Sequence, residues 1–248
     1  MTRFIDRSNV NGADNYKAAG ITHIYLKASE GTTFVDSTYA GRKSEAKAAG
    51  ATVGAYHFAG HGDPIAEANH FLSVIRTPHA GHMRPCLDLE SGQSATWADA
   101  FLRHLHAQLG YWPVLYGSTS TIPAIRNASS AAKACPWWRA EYGPNDGGRH
   151  ALQGGDMGAS AHQYTSVATF PGISGHTDAS VFLSATGQKE MMVPVQLPVF
   201  KRPKGAEVTY HRRDGSQVTR RYRGLGWFQL RHPRAWWRGG VTSKPIHK

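Results

Sequence analysis

The chain has 248 residues with 28 Lys plus Arg against 17 Asp plus Glu, yet residues 1–188 hold 14 of each sign and the whole +11 excess falls after residue 188. With 40% hydrophobic and 18% charged residues it is too apolar and too lightly charged for a disordered chain, and no apolar run approaches the roughly 18 residues that span a bilayer. Two cysteines, Cys86 and Cys135, are too few for a disulfide scaffold and lack metal-ligand spacing, so they read as buried thiols.

The first residues, Met1 to Asp6, enter a strand-like pattern at once, and with no apolar leader ahead of it Sec export is not expected. A strand over 3–8 precedes a helical interval at 12–19, and strand 23–29 precedes a helix at 38–49. Strand 52–59 is followed by a helix at 63–76, and strand 84–90 by a helix at 94–109. Ser94 is the expected N-cap of that helix, with Trp97, Phe101, Leu102, Leu105 and Leu109 as its apolar stripe. Gly20, Gly50 and Gly110 stand where three of the helices would need a positive φ to end. Strands at 112–118, 136–142, 161–165 and 177–182 complete the pattern.

Strand–helix alternation through the first five strands predicts a parallel sheet. Eight strands in about 190 residues favour a closed barrel over an open doubly wound sheet, and no Gly-x-Gly-x-x-Gly follows the first strand to support a dinucleotide fold. After residue 126 the helical patterns thin out. The expected class is therefore α/β: an irregular, TIM-like (β/α) barrel with degraded later helices, followed by a small basic C-terminal extension.

Chemistry in such barrels gathers at the C-terminal ends of the strands. Asp6 lies late in the first strand, Asp88 and Glu90 close the fourth, and Asp178 falls in the last. Alternation puts Cys86, Asp88 and Glu90 on one strand face and Leu87 and Leu89 on the other. Two carboxylates about 6.6 Å apart, at ~3.3 Å per residue, repel when both are charged, which raises one pKa and creates a proton donor near neutral pH. Glycoside hydrolysis needs such a donor beside an anion. Spacing alone leaves the alternative open, that these are helix-capping or solvated loop acids.

The motifs Phe4-Ile5-Asp6, Ile24-Tyr25-Leu26-Lys27-Ala28-Ser29-Glu30-Gly31, Gly54-Ala55-Tyr56-His57-Phe58, Leu87-Asp88-Leu89-Glu90, Trp138-Arg139-Ala140-Glu141-Tyr142-Gly143, Gln163-Tyr164 and Asp178 occur in one order over residues 3–185. In that order and spacing the body resembles the family 25 glycoside hydrolases, the Chalaropsis-type lysozymes common among phage endolysins. The resemblance implies a muramidase that cuts the β-1,4 bond between N-acetylmuramic acid and N-acetylglucosamine, with no metal or organic cofactor. It makes Glu90 the general acid and Asp88 the group that orients or stabilises the substrate's acetamido function. Asp6 and Asp178 match the other acidic positions. Substrate-assisted hydrolysis and direct attack by water both remain open, as do a chitinase-like acetylhexosaminidase and a catalytically silent glycan-binding barrel. Two positions depart from the family pattern: His162 stands where a Trp is usual, and Phe4 where a Gly is usual.

A sugar presents a C–H face to aromatic rings. Tyr56, Phe58, Tyr116 and Trp138 lie on strands, and the resemblance makes them candidate glycan contacts, against the alternative that they fill the barrel. His57 and His61 span a strand and a loop, His104 and His106 fall on different faces of the expected helix, and no His-Glu-x-x-His occurs, so zinc is not expected; no Gly-x-Ser-x-Gly elbow marks a serine hydrolase.

The domain boundaries expected are a catalytic barrel over 1–188, a Pro-punctuated linker over 189–198 and a basic, aromatic extension over 199–248. In the extension, 207–212 and 217–222 alternate as β-formers around Arg213-Asp214-Gly215-Ser216, a hairpin signal. Trp227, Phe228, Trp236 and Trp237 interleave with Arg231, Arg234 and Arg238. Attached to a muramidase, residues 199–248 are expected to hold the enzyme on anionic wall polymers; membrane contact, nucleic acid and a solvated appendage with no specific partner are the alternatives. An endolysin would be made in the host cytoplasm and reach the wall through a separately formed membrane hole.

Overall fold

The computed structural model describes residues 1–76, 81–194, 199–202, 206–212, 217–222, 226–229 and 237–245. It divides into two units, Met1–Val193 and Pro194–Lys248.

In the first unit, strands β1 (Arg3–Arg7), β2 (His23–Glu30), β4 (Thr52–Phe58), β5 (Cys86–Asp88), β6 (Val114–Ser118), β7 (Trp137–Ala140), β8 (Ala161–Ala168) and β9 (Thr177–Phe182) close into an eight-stranded barrel, with the short β3 (Phe34–Val35) hairpinned onto β2. Neighbours from β1 through β8 pair in parallel, while β9 runs antiparallel to both β8 and β1. The first strands pair in parallel, as their alternation with helices predicts, and the antiparallel β9 makes the barrel mixed. The connection from β8 to β9 carries no helix to return the chain to the other end of the sheet, so β9 comes straight back.

Helices α1 (Tyr39–Ala48), α2 (Pro64–Ile75) and α3 (Ala95–Leu109) cover the early strands, and the short α4 (Ile122–Ala128), α5 (Ser130–Ala134) and α6 (Ala185–Met191) follow. Their ends obey local chemistry. Asp63 caps α2 through the Ile65 and Ala66 amides, and Ser94 Oγ accepts from Trp97 N at 3.1 Å to start α3. Gly110 ends α3 at φ 77°, the left-handed conformation glycine adopts freely. The interval 12–19 is not a helix. Asp14 turns inward, where Arg7 (2.5 Å), Arg42 and Tyr16 (3.0 Å) share its carboxylate, and its backbone bridges to Ile173. This buried ion network fixes the chain after β1 as turns, overriding the weak helical pattern.

Strand alternation splits the core in two. Outward residues such as Ile5, Ile24, Leu26, Leu87 and Leu115 pack against helix residues Phe71, Phe101, Leu102 and Leu105. Inward residues Phe4, Tyr25, Cys86, Val114, Trp138 and Phe182 fill the barrel. Tyr25 stacks on Trp138 at 4.9 Å between centroids and Phe4 on Phe182 at 4.6 Å, so the unusual Phe4 supplies part of an aromatic plug. Gly54, the register partner of Tyr25, leaves room for that ring: a Cβ there would lie 2.3 Å from it. Cys86 and Cys135 are both free and buried, one inside the barrel and one in the helix layer.

The first unit extends past the expected boundary at 188. Lys189 to Met191 form the last turn of α6, and Met191 is buried in the barrel-interior cluster. In the second unit, β10 (Val199–Arg202) pairs antiparallel with β13 (Gly226–Gln229), and β11 (Ala206–Arg212) pairs antiparallel with both β12 (Gln217–Tyr222) and β14 (Trp237–Pro245). Residues 213–216 of the expected hairpin turn, residues 195–198 of the linker, and Arg231, Arg234 and Trp236 lie outside the described residues.

Candidate active site

The inward positions at one end of the barrel form a cleft. Along β5 and the two residues that follow it, Leu87 and Leu89 enter the helix-facing core, so Asp88 and Glu90 take the opposite face and point into the barrel mouth. On β1, Phe4 sits in the plug and Asp6 one step higher. β9 reverses direction, so its beginning, not its end, reaches this rim, and Asp178 becomes the register partner of Asp6. Asp6, Asp88, Glu90, Asp178, Tyr56, Phe58, Tyr116 and Trp138 all line one cavity of about 250 Å³, together with Ser8, Val10, Lys27, Tyr142 and Gln163.

The four carboxylates differ in setting. Asp6 and Asp88 are 8% and 7% exposed, Asp178 is half-buried, and Glu90 opens to solvent. Burial holds Asp6 well above the ordinary carboxylate range, and the charge of Asp178 adds to this, while the Gln163 amide opposes it. Asp88 is raised well above that range by burial, then by the charges of Glu90 and Asp6, against the pull of Lys27. Glu90 is raised by its partly enclosed position and by Asp178, and Asp178 by burial. Four such groups in one cleft share protons as a cluster, so one of them can be an acid while a neighbour is an anion.

Gln163 organises the wall of this site. Its Oε1 accepts from Tyr116 Oη at 2.6 Å and Tyr142 Oη at 2.8 Å, which directs its Nε2 to donate to Asp6 Oδ2 at 2.8 Å. Asp88 Oδ1, by contrast, is buried with no hydrogen-bond partner. Lys27 lies between the Phe34 and Phe58 rings, at 5.3 and 5.0 Å, and pairs with Glu30 at 2.5 Å.

The aromatic candidates divide. Tyr56 and Phe58 are half-buried and offer ring surface to the cleft. Trp138 is 2% exposed, edge-on to Tyr116, and donates its indole N–H to Ser180 Oγ at 3.0 Å, so it is mainly the floor. His162 faces away from the cleft: it is buried and its Nε2 donates to the Glu141 carbonyl at 2.6 Å, making it a wall residue. Both His57 nitrogens are engaged, by Ser29 Oγ (2.9 Å) and Glu67 (3.1 Å). Among the described residues no group of three or more His, Cys, Asp or Glu is arranged to hold a metal ion.

Lys27, Tyr142 and Gln163 were visible only as motif letters. The parity of their strands was a usable signal for two of them, since Lys27 follows inward Tyr25 and Gln163 follows inward Ala161 by two residues.

A mixed eight-stranded barrel with acids at the mouth defines an irregular (β/α) barrel of glycosidase type. The match of residues 5–173 to the glycosyl hydrolases family 25 makes this specific, and the chain belongs to that family. It is 33% identical over 174 residues to the autolytic lysozyme of Clostridium acetobutylicum, covering 67% of this chain and 50% of that protein. The chain therefore corresponds to about half the length of that relative. Among solved structures, the bacterial lysozyme from Streptomyces coelicolor superposes with a TM-score of 0.65 at 25% identity, covering 75% of this chain and 94% of that one. The CTP1L endolysin superposes with a TM-score of 0.62 at 30% identity, covering 77% and 69%.

Proposed function

We propose that this protein is a peptidoglycan muramidase that hydrolyses the β-1,4 bond between N-acetylmuramic acid and N-acetylglucosamine. The observation that carries the reading is the gathering of Asp6, Asp88, Glu90 and Asp178 around one cleft, with every carboxyl held above its ordinary range. Glu90, the most accessible of the four, protonates the leaving glycosidic oxygen. The unpaired Asp88 Oδ1 accepts the acetamido N–H of the sugar before the scissile bond, which turns the acetamido oxygen toward the anomeric carbon. That oxygen attacks as the glycosidic bond breaks. Glu90, now a carboxylate, then takes a proton from the water that opens the cyclic intermediate. Two displacements at one carbon retain the β configuration, which ¹H NMR of the first product reports.

The test is release of reducing ends from purified peptidoglycan by wild type and Glu90→Gln. Loss of a positioned general acid lowers the rate by roughly 10²–10⁴-fold. A wild type that releases none while a known muramidase does so identifies a silent glycan-binding barrel instead. Faster cleavage of chitin oligomers than of muramyl substrates identifies an acetylhexosaminidase.

The reading extends to lysis of a bacterial host by a phage endolysin, supported by the likeness to the CTP1L endolysin. Residues 199–248, which hold a large basic excess, act in this reading to retain the enzyme on anionic wall polymers. A truncation after Val193, which keeps the buried Met191, is expected to retain cleavage of soluble fragments and lose binding to intact walls, most visibly at low salt. Unchanged wall binding would refute this role.

A further inference from the structure

We propose that the barrel carries a second binding site, for an oxyanion of the cell wall, in the cavity between α1 and the end of α2. The proposal rests on the wall being the substrate, as argued above.

The cavity has a volume of about 200 Å³. Lys43 and Lys47 reach it from successive turns of α1, Arg76 reaches it from the C-cap of α2, and Val53, Ile75 and Met83 form an apolar floor. No Asp or Glu lines it, and among the described residues none of the three cations forms an ion pair. This contrasts with the body as a whole, whose basic and acidic residues balance over 1–188. Lys43 is half-buried, held 3.1 Å from Tyr39 Oη and 5.0 Å from the centroid of that ring. Burial lowers its pKa, and the charges of Lys47 and Arg76 lower it further. Three like charges around one hollow, with no carboxylate among its described lining residues, make an arrangement that folding alone disfavours and an anion relieves. Arg76 also has φ 57° and ψ −167°, a backbone conformation strained for a non-glycine residue.

The location separates this site from the cleft. Val53 stands at the start of β4 and Phe58 at its end, so the two cavities open at opposite ends of that strand. An oxyanion held on the flank leaves the cleft free. Wall phosphodiesters and the free carboxylates of wall peptides share the required chemistry.

The experiment titrates the full chain with sodium phosphate and, separately, sodium acetate at constant ionic strength, following the NMR signals of the Met83 methyl and the Tyr39 ring. We expect saturable shifts with at least one anion, weakened at least tenfold in Lys47→Gln/Arg76→Gln. Both of those side chains are exposed, so the fold is retained. Lys43→Met, which removes the half-buried charge, is expected to weaken binding as well. Stronger binding of phosphate assigns the site to phosphodiesters, and stronger binding of acetate to carboxylates. Non-saturable shifts, or binding equal in wild type and double variant, would overturn the proposal. Hydrolysis of soluble oligosaccharide should be unchanged in the variants. Its absence from wild type would defeat the muramidase reading without altering the anion titration.

Discussion

Asp6 and Asp178 are direct partners across the antiparallel ladder of β1 and β9, so their side chains leave the same face of the closed barrel and enter the cleft together. The charge of Asp178 is, after burial, the main influence that raises Asp6. Asp178→Asn removes that charge, and Asp6 should then ionise at lower pH, measured by ¹³C carboxyl NMR. An unchanged Asp6 titration would mean that burial alone sets its pKa.

Glu90 must be protonated to act as the acid, and its pKa lies above the ordinary glutamate value. The rate should therefore fall as pH rises through that raised pKa, and fall again at low pH as the anionic members of the cluster take up protons. A bell-shaped kcat/KM profile with muramyl oligosaccharides is the expected result. In Asp178→Asn the limb at high pH should move down, because Asp178 contributes to raising Glu90.

Asp88 illustrates a cost of the site. Its folded-state pKa is raised, so the native state binds a proton more tightly than the unfolded chain does, and this favours folding fully only below the unfolded value. That contribution is lost as pH rises through the folded pKa. Asp88→Asn removes this titrating group and should stabilise the protein near pH 7 by on the order of 1 kcal/mol, ~2–4 °C in Tm, with little gain at pH 3. Thermal unfolding at the two pH values measures this, and activity should be lost in the same variant.

Gln163 is a positioning residue, holding two phenols and Asp6 at once. Gln163→Leu leaves these buried groups without their shared partner and should cost about 1–3 kcal/mol in urea unfolding. Gln163→Glu can still accept from both tyrosines, but it places a second carboxyl against Asp6 and should shift the acidic limb of the pH profile to higher pH. A profile identical to wild type would restrict Gln163 to a structural role.

Local pattern carried a large part of this molecule. Residues 94–109 read as a helix because Ser94 can cap and Phe101, Leu102 and Leu105 recur on one face, and α3 occupies Ala95–Leu109 with those residues buried. Alternation alone puts Asp88 and Glu90 opposite Leu87 and Leu89, and the same rule places Lys27 and Gln163 on the inward faces of β2 and β8. The helix expected at 12–19 failed because a contact from outside the segment, Arg42 on α1, together with Arg7, captured Asp14.

The sequence by itself determined which side chains share a strand face, where the main helices begin and end, and that the basic excess lies beyond the barrel. These follow from periods of a few residues and from capping groups within one turn. The tertiary structure alone decided that β9 runs antiparallel, bringing Asp178 to Asp6, that Trp138 and Phe4 close the floor, and that Lys43, Lys47 and Arg76 surround one hollow. Strand direction and the meeting of distant elements depend on how the whole sheet closes, a non-local property that no short period in the chain encodes.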